Sequence, residues 1–347
     1  MKRVVCLLTV LAALIPCLGA VDFTNGHIRL SLNPEAGRFS LYYLTGFSPL
    51  KFEPLFSHQD PRTSLLTAYY NEKAYKLGEN SKFKIRLDNN ELRPALVFES
   101  SFLRVTERFE FIKTGGSSSS NGVKITFLVE NTGSRRADVG IRFLLDTNLG
   151  EGRPGSPLVT DIKPLNGETT FDSLSPDKWW ISGNDRLSLM GSLGPEAGGR
   201  PDLVHVANWK RLNDTPWKLK YSEGRNFNNR NNPGDSAAAY YFEPRRIQAG
   251  ESFSASLLLA ANDPSGFIVY NVMTALEPPL PDKAPQLPTD PASPVSPLQD
   301  DINTLKDLLT RIDHSINSDF QISEEELLRM EEEIARLRSR YGIPEPR

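Results

Sequence analysis

Apolar and polar residues alternate with a period of two along most of the chain. In "HIRLSLNPEAGRFSLYYL" (27–44), Ile28, Leu30 and Leu32 alternate with Arg29, Ser31 and Asn33. The chain then turns at Pro34-Glu35-Ala36-Gly37, and Phe39, Leu41 and Tyr43 resume one face. A period of two interrupted by Pro and Gly predicts a β-hairpin. The stretch 82–112 repeats the pattern, with a turn at Asn89-Asn90 and Phe102, Val105, Phe109 and Phe111 in the flanking strands. After the Gly/Ser-rich tip 113–122, Val123, Ile125, Phe127 and Val129 alternate, Asn131-Thr132-Gly133 turns, and Val139 to Leu145 returns. Further strands are expected at 186–193, 202–208, 237–243 and 252–260. No capped ten-residue helical period precedes residue 296. Many short strands at this spacing predict a mainly β fold, an antiparallel β-sandwich of supersandwich type, over 21–276.

Beyond residue 276 the pattern changes twice. Residues 277–297 hold eight prolines in 21 positions, which neither a central strand nor a helix tolerates, so a semi-rigid linker is expected. From Ser296-Pro297 onward, Leu298, Ile302, Leu305, Leu309, Ile312 and Ile316 recur at spacings of four and three. After a break at 314–321, Ser323 and Glu326 form a capping box, and Leu327, Met330, Ile334, Leu337 and Tyr341 continue the seam. Residues 298–342 are therefore expected to form an antiparallel helical hairpin. A single narrow apolar stripe needs a partner, and a second copy in a coiled coil or the sandwich itself would supply one.

Charge and composition narrow the function classes. Residues 1–20 read as a signal peptide: Lys2 and Arg3, then an apolar stretch from Val4 to Leu14 too short to span a bilayer, then Gly19-Ala20 at a cleavage site. An exported, periplasmic or envelope-associated chain follows. A lipid anchor at Cys17 is the weaker alternative, because Pro16 stands where a small residue is required. Both cysteines, Cys6 and Cys17, would leave with the peptide, so no disulfide or cysteine ligand is expected. The remaining 38 basic and 43 acidic residues give a formal charge near −5 and no support for nucleic-acid binding.

The candidate chemistry lies in two places. The first is "FLLDTNLGEG" (143–152), where a strand ends in Asp146, Asn148, Gly150 and Glu151. Asp146 with Glu151, Asp161 or Asp172 could supply a glycosidase carboxylate pair. The commoner reading is a strand-end turn capped by Asp146, with Gly150 at positive φ. A calcium loop is disfavoured, since Gly150 falls where a ligand belongs, and neither a metal nor a cofactor is expected. The second place holds all four tryptophans, Trp179, Trp180, Trp209 and Trp217, with Arg211 and several amides interleaved. Aromatic faces beside guanidinium and amide groups suit a sugar-binding cleft, although large rings are also ordinary core residues. Trp179 and Trp180 are adjacent, so on a strand they face opposite sides. The four histidines (His27, His58, His205 and His314) lack metal-ligand spacing, and His205 in "LVHVANW" reads as a packed residue. Neither a nucleophile elbow nor a phosphate-binding glycine loop is present.

The segments "VGIRFLLDTNLGEGRPGSPLV", "PDLVHVANWKRLNDTPWKLKYSEGRNFN" and "DSAAAYYFEPRRIQAGESFSASLLLAA" together resemble a widespread group of exported bacterial β-sandwich proteins. Their strand pattern is similar to the supersandwich of galactose-mutarotase-like and glycosidase accessory domains. The resemblance runs over about residues 121–262, departs at Arg153-Pro154-Gly155-Ser156-Pro157, and supplies no catalytic residue. The absent catalytic signatures and the C-terminal seam point to an exported, non-catalytic protein that binds or scaffolds, with an envelope protein or a glycan as partner. Self-association would run through Leu298, Ile302, Leu305, Leu309, Ile312, Leu327, Met330, Ile334 and Leu337. The alternative is a carbohydrate-binding or carbohydrate-active domain using Trp179, Trp180, Trp209, Trp217, Arg211, Asp146 and Glu151.

Overall fold

The computed structural model describes residues 19–261, apart from 48, 57–62, 116, 118, 152–156, 198–199 and 229–233, together with residue 336. The expected signal peptide (all but residues 19 and 20), the expected proline-rich linker and the expected seam from Leu298 to Leu337 lie outside the described residues.

In chain order the first strands are β1 (Val21–Asn25), β2 (Ile28–Asn33), β3 (Arg38–Phe47), β4 (Leu50–Pro54), β5 (Leu65–Tyr70), β6 (Lys73–Lys76) and β7 (Lys84–Asp88). The middle group is β8 (Ala95–Glu99), β9 (Arg104–Ile112), β10 (Gly122–Glu130), β11 (Ala137–Asp146), β12 (Leu158–Thr160), β13 (Pro164–Leu165) and β14 (Thr169–Phe171). The last are β15 (Trp179–Gly183), β16 (Ser188–Ser192), β17 (Leu203–Asn208), the six-residue helix α1 (Trp209–Asp214), β18 (Ser236–Ile247) and β19 (Ser252–Ala261). The strands expected from alternation all form. Among the described residues the fold is mainly antiparallel β, in three sheets of four, nine and six strands.

The order β13-β12-β15-β16-β19-β10-β9-β8-β7 makes the nine-stranded sheet, β14-β17-β18-β11-β5-β6 the six-stranded one, and β1-β2-β3-β4 the smallest. One apolar core joins all three. Phe127 of the nine-stranded sheet lies 6.0 Å from Phe143 and from Phe242 of the six-stranded sheet, measured between ring centroids. Phe39 of the small sheet reaches Phe109 at 4.8 Å and Phe143 at 5.8 Å. Burying rings of this size supplies much of the area that must offset chain entropy.

Each strand of the six-stranded sheet presents two faces. Ile141, Phe143 and Leu145 of β11, with Ala238, Tyr240 and Phe242 of β18, enter the core. The alternate residues Leu144, Ala237, Ala239 and Tyr241 form a second cluster on the outer face with Leu212 and Leu219. The chain from α1 to Tyr221 therefore covers that face. A register shift between Val139 and Ile141 accommodates Pro244 in β18. Gly140 is required there, since an added Cβ would lie 2.9 Å from the Phe242 carbonyl oxygen and from the Pro244 nitrogen.

Candidate functional site

Asp146 ends β11 opposite Ala237, and Asp235 immediately precedes β18, so antiparallel pairing of these strands brings the two carboxylates together. A 3-10 turn at Asn148–Gly150 returns the chain so that Glu151 joins them. Ligand oxygens of Asp146, Glu151 and Asp235 lie within 4.8 Å of one another. Both aspartates are 7% exposed. Ser236 donates its backbone N–H to Glu151 Oε1 at 2.7 Å. Burial, reinforced by the two neighbouring carboxylates and opposed by the Ser236 hydrogen bonds, pushes the Glu151 carboxyl up to about 7. Near neutral pH Glu151 is therefore partly protonated. Three carboxylates this close would also suit a cation. Asp161 and Asp172 do not join: Asp161 accepts the Lys178 N–H, and Asp172 accepts those of Leu174 and a hydroxyl of Ser175.

The turn itself corrects one expectation. Gly150 does not adopt positive φ. A Cβ there would fall 1.9 Å from the Pro157 carbonyl oxygen, so close backbone approach, not left-handed geometry, demands glycine. Ser182 ties the turn down, accepting the Gly150 N–H at 2.9 Å and donating to the Thr147 carbonyl.

The four tryptophans do not share a cleft. Trp180 is 0% exposed and donates its indole N–H to Tyr240 Oη at 2.7 Å inside the core. Gly191 leaves room for that pair, because a Cβ would lie 2.4 Å from both. Trp180 is thus a core residue, and its place among the ligand-binding candidates is corrected on that ground. Trp179, on the opposite face as expected, packs half-buried against Met190, Ala197, Leu258 and Ala260. Trp209 donates to the Thr63 carbonyl at 2.7 Å, and Trp217 lies 5.0 Å from Tyr69 and 5.8 Å from Tyr241. These two belong to the covering of the outer face.

Arg211 leads to a different place. Asn208 caps α1 by accepting the Arg211 N–H at 3.3 Å, and this fixes the first turn. The Arg211 guanidinium then pairs with Glu168, whose side chain is wholly buried, with Nε 2.5 Å from Oε1 and Nη2 3.2 Å from Oε2. Beside this pair opens a cleft of about 270 Å³, lined by Lys163, Asn166, Glu168, Thr169, Tyr221 and Glu223 among others. Tyr221 is 39% exposed, and its ring stacks at 6.1 Å and 12° on His205. His205 Nδ1 meets Thr170 Oγ1 at 2.9 Å, and burial, with a smaller contribution from Lys218, lowers the imidazole to about 4, so it is neutral. It is a packed residue, as its apolar strand implied. Tyr221 lies in the aromatic-rich stretch around the tryptophans, whereas Asp235 and Glu168 carried no local signal, since "PGDS" and "NGET" read as ordinary turns.

No protein-family model matches the sequence, and no curated protein is similar to it in sequence. Among solved structures the chain is similar to a galactose mutarotase related enzyme from Lactobacillus acidophilus, at 8% identity and TM-score 0.43, over 72% of this chain and 99% of that one. It is also similar to an aldose epimerase homologue from C. elegans, at 9% identity and TM-score 0.44, over 70% of this chain and 98% of that one. A galactose mutarotase-like protein from Lactobacillus casei gives 9% identity and TM-score 0.42, over 70% and 100%. At such identities and TM-scores these likenesses carry no functional weight.

Proposed function

We propose that the β-sandwich is a carbohydrate-binding module of an exported, envelope-associated protein. The observation that supports this best is the cleft at Tyr221. A half-exposed aromatic ring stands beside the buried Glu168 and its half-buried partner Arg211, with Lys163, Asn166 and Glu223 around it. A pyranose presents C–H groups to such a ring and hydroxyls to the polar groups around it, and a concave site with a few convergent polar side chains is the usual form of a small-ligand pocket. Glu168 is held by Arg211 and the Ser222 N–H, so it shapes the cleft and leaves hydroxyl recognition to the rim. A glycan array followed by calorimetry on the full chain tests the reading. Tyr221→Ala should lower affinity at least tenfold, and a chain that binds no envelope glycan rejects it.

A second, catalytic reading draws on one observation, the Glu151 carboxyl held near 7 beside Asp146 and Asp235. Neighbouring carboxylates with separated proton affinities can divide acid and base roles. Hydrolysis of an envelope polysaccharide that survives Glu151→Gln would sink it. Assembly through the seam from Leu298 to Leu337 is a further proposal. Light scattering on the full chain should show a dimer, and a monomer at every concentration rejects it.

A further inference from the structure

One wall of the Tyr221 cleft is a turn that Glu168 grips at three points. The Glu168 carboxylate accepts the Ser222 N–H at 3.0 Å. Its carbonyl accepts the Gly224 N–H at 3.3 Å, and its own N–H donates to the Arg225 carbonyl at 2.6 Å. Arg225 closes the turn by donating its N–H to the Ser222 carbonyl at 3.2 Å, with Gly224 at φ 69° in the third position. Gly167 lets the two backbones meet, since a Cβ there would lie 2.8 Å from the Gly224 and Arg225 carbonyl oxygens. The second position of this clamped turn is Glu223, so its carboxylate is presented from a fixed backbone. Tyr221 precedes the turn and is braced from behind by the His205 ring.

The charges lining the cleft are only partly matched. Glu168 is paired with Arg211. Among the described residues Glu223 and Lys163 have no ion-pair partner, and they do not pair with each other. Burial, and then the Glu223 and Glu168 carboxylates, raise the Tyr221 phenol above its ordinary value, so the charges that reach its hydroxyl are negative. With Glu168 neutralised by Arg211, one uncompensated carboxylate is left beside an exposed aromatic ring. An ammonium group is drawn to both, to the carboxylate by opposite charge and to the ring face by its quadrupole. At about 270 Å³ the cleft lies just below the range of about 300–1,000 Å³ usual for drug-sized ligands, and it suits one sugar ring.

We propose that the cleft recognises an amino sugar whose nitrogen is unacetylated and protonated, and that Glu223 sets this choice. The inference rests on the carbohydrate reading above and narrows its ligand class. The pyranose lays its C–H face on Tyr221, the ammonium meets the Glu223 carboxylate, and Lys163, Asn166 and Thr169 serve the hydroxyls. Acetylation replaces the cation by a neutral amide and forfeits the attraction to Glu223.

The test titrates the full chain by calorimetry at pH 6 with short oligomers of glucosamine and of galactosamine. Their N-acetylated and neutral counterparts and trilysine are the comparisons. The amino-sugar oligomers should bind about tenfold more tightly than either other sugar series, and added salt should narrow the gap. Glu223 makes no side-chain hydrogen bond among the described residues, so Glu223→Gln should fold normally. It should close the gap while leaving the neutral sugars unchanged, whereas Tyr221→Ala should weaken every sugar series at least tenfold. Trilysine bound as tightly as an amino-sugar trisaccharide overturns the proposal, because charge alone would then suffice. N-acetylated or neutral oligomers bound as tightly as the amino sugars overturn the ligand class while the carbohydrate reading stands. A preference for amino sugars that survives Glu223→Gln overturns the role of Glu223. If no saccharide binds, the proposal and the carbohydrate reading fall together.

Discussion

The two faces of the six-stranded sheet are made by the same strands and obey different rules. On the inner face Phe143, Tyr240 and Phe242 meet Phe127, Phe39 and Trp180, and the only polar side-chain contact among these rings is the one from Trp180 to Tyr240. On the outer face, one residue along each strand, Arg142, Asp146, His205 and Tyr241 alternate with Leu144, Ala237 and Ala239. Burial by area is forgiving of detail. Burial of charge is not, because each group needs its own partner. The outer face finds its partners in a loop from elsewhere in the chain, and so it is where specific recognition can be built.

This contrast can be broken from either side. The largest effect should come from the inner face: Phe143→Ala opens a cavity beside Phe39, Phe127 and Tyr240 and should cost about 3–5 kcal/mol, read from urea denaturation. On the outer face Arg142→Met should cost about 2–3 kcal/mol, since carbonyls of Leu212, Thr215 and Trp217 lose their donor. Unlike the core change, it should also make proteolysis within 211–222 faster while the remainder stays protected. If both substitutions loosen the whole domain equally, the faces are not distinct.

Two buried acids give a smaller effect with a defined sign. Glu107 faces the core from β9 and is 2% exposed; burial pushes its carboxyl up to about 8, with Arg38 opposing. Glu151 rises to about 7 from an ordinary value of 4.5. Each binds its proton more tightly in the folded chain, so each contribution is complete below about pH 4.5 and is lost as pH rises through the folded value. Stability should fall as pH rises from about 4.5 to each folded value, over about pH 4.5–7 for Glu151 and about pH 4.5–8 for Glu107, at no more than about 1.4 kcal/mol per pH unit for each group. Glu151→Gln and Glu107→Gln should each make the slope shallower over its own range; a flat profile in the wild type refutes both. The smallest expected change is in stability on Tyr221→Ala, within about 0.5 kcal/mol, although glycan affinity should drop. A larger loss of stability would make Tyr221 a packing residue.

Much of this molecule was legible in local pattern. The hairpin from Ile28 to Tyr43, the strands around the 113–122 tip, and the long strands flanking the Gly250 turn all follow from alternation and turn chemistry. Short strands such as Leu158–Thr160, and Leu65–Tyr70 with its run of buried residues, show no alternation, and pattern alone does not reveal them. Of the site residues, Asp146 with Glu151 and Arg211 were visible as chemistry. Their true partners, Asp235 and Glu168, were not, because each lies tens of residues away in sequence.

The sequence by itself determined that the chain folds as β-strands and which residues of each strand share a face. It also determined that Trp179 and Trp180 must point in opposite directions. A period of two fixes relative orientation within a strand, since successive side chains alternate. It does not fix which face becomes core. Only the tertiary structure decided that Trp180 goes inward and that Arg142 is buried under residues 212–217. It also placed Glu168 against Arg211 and Asp235 against Asp146. Those outcomes depend on strand order across sheets and on where one loop returns, and both are long-range choices settled by the competition to bury area and pair every charge.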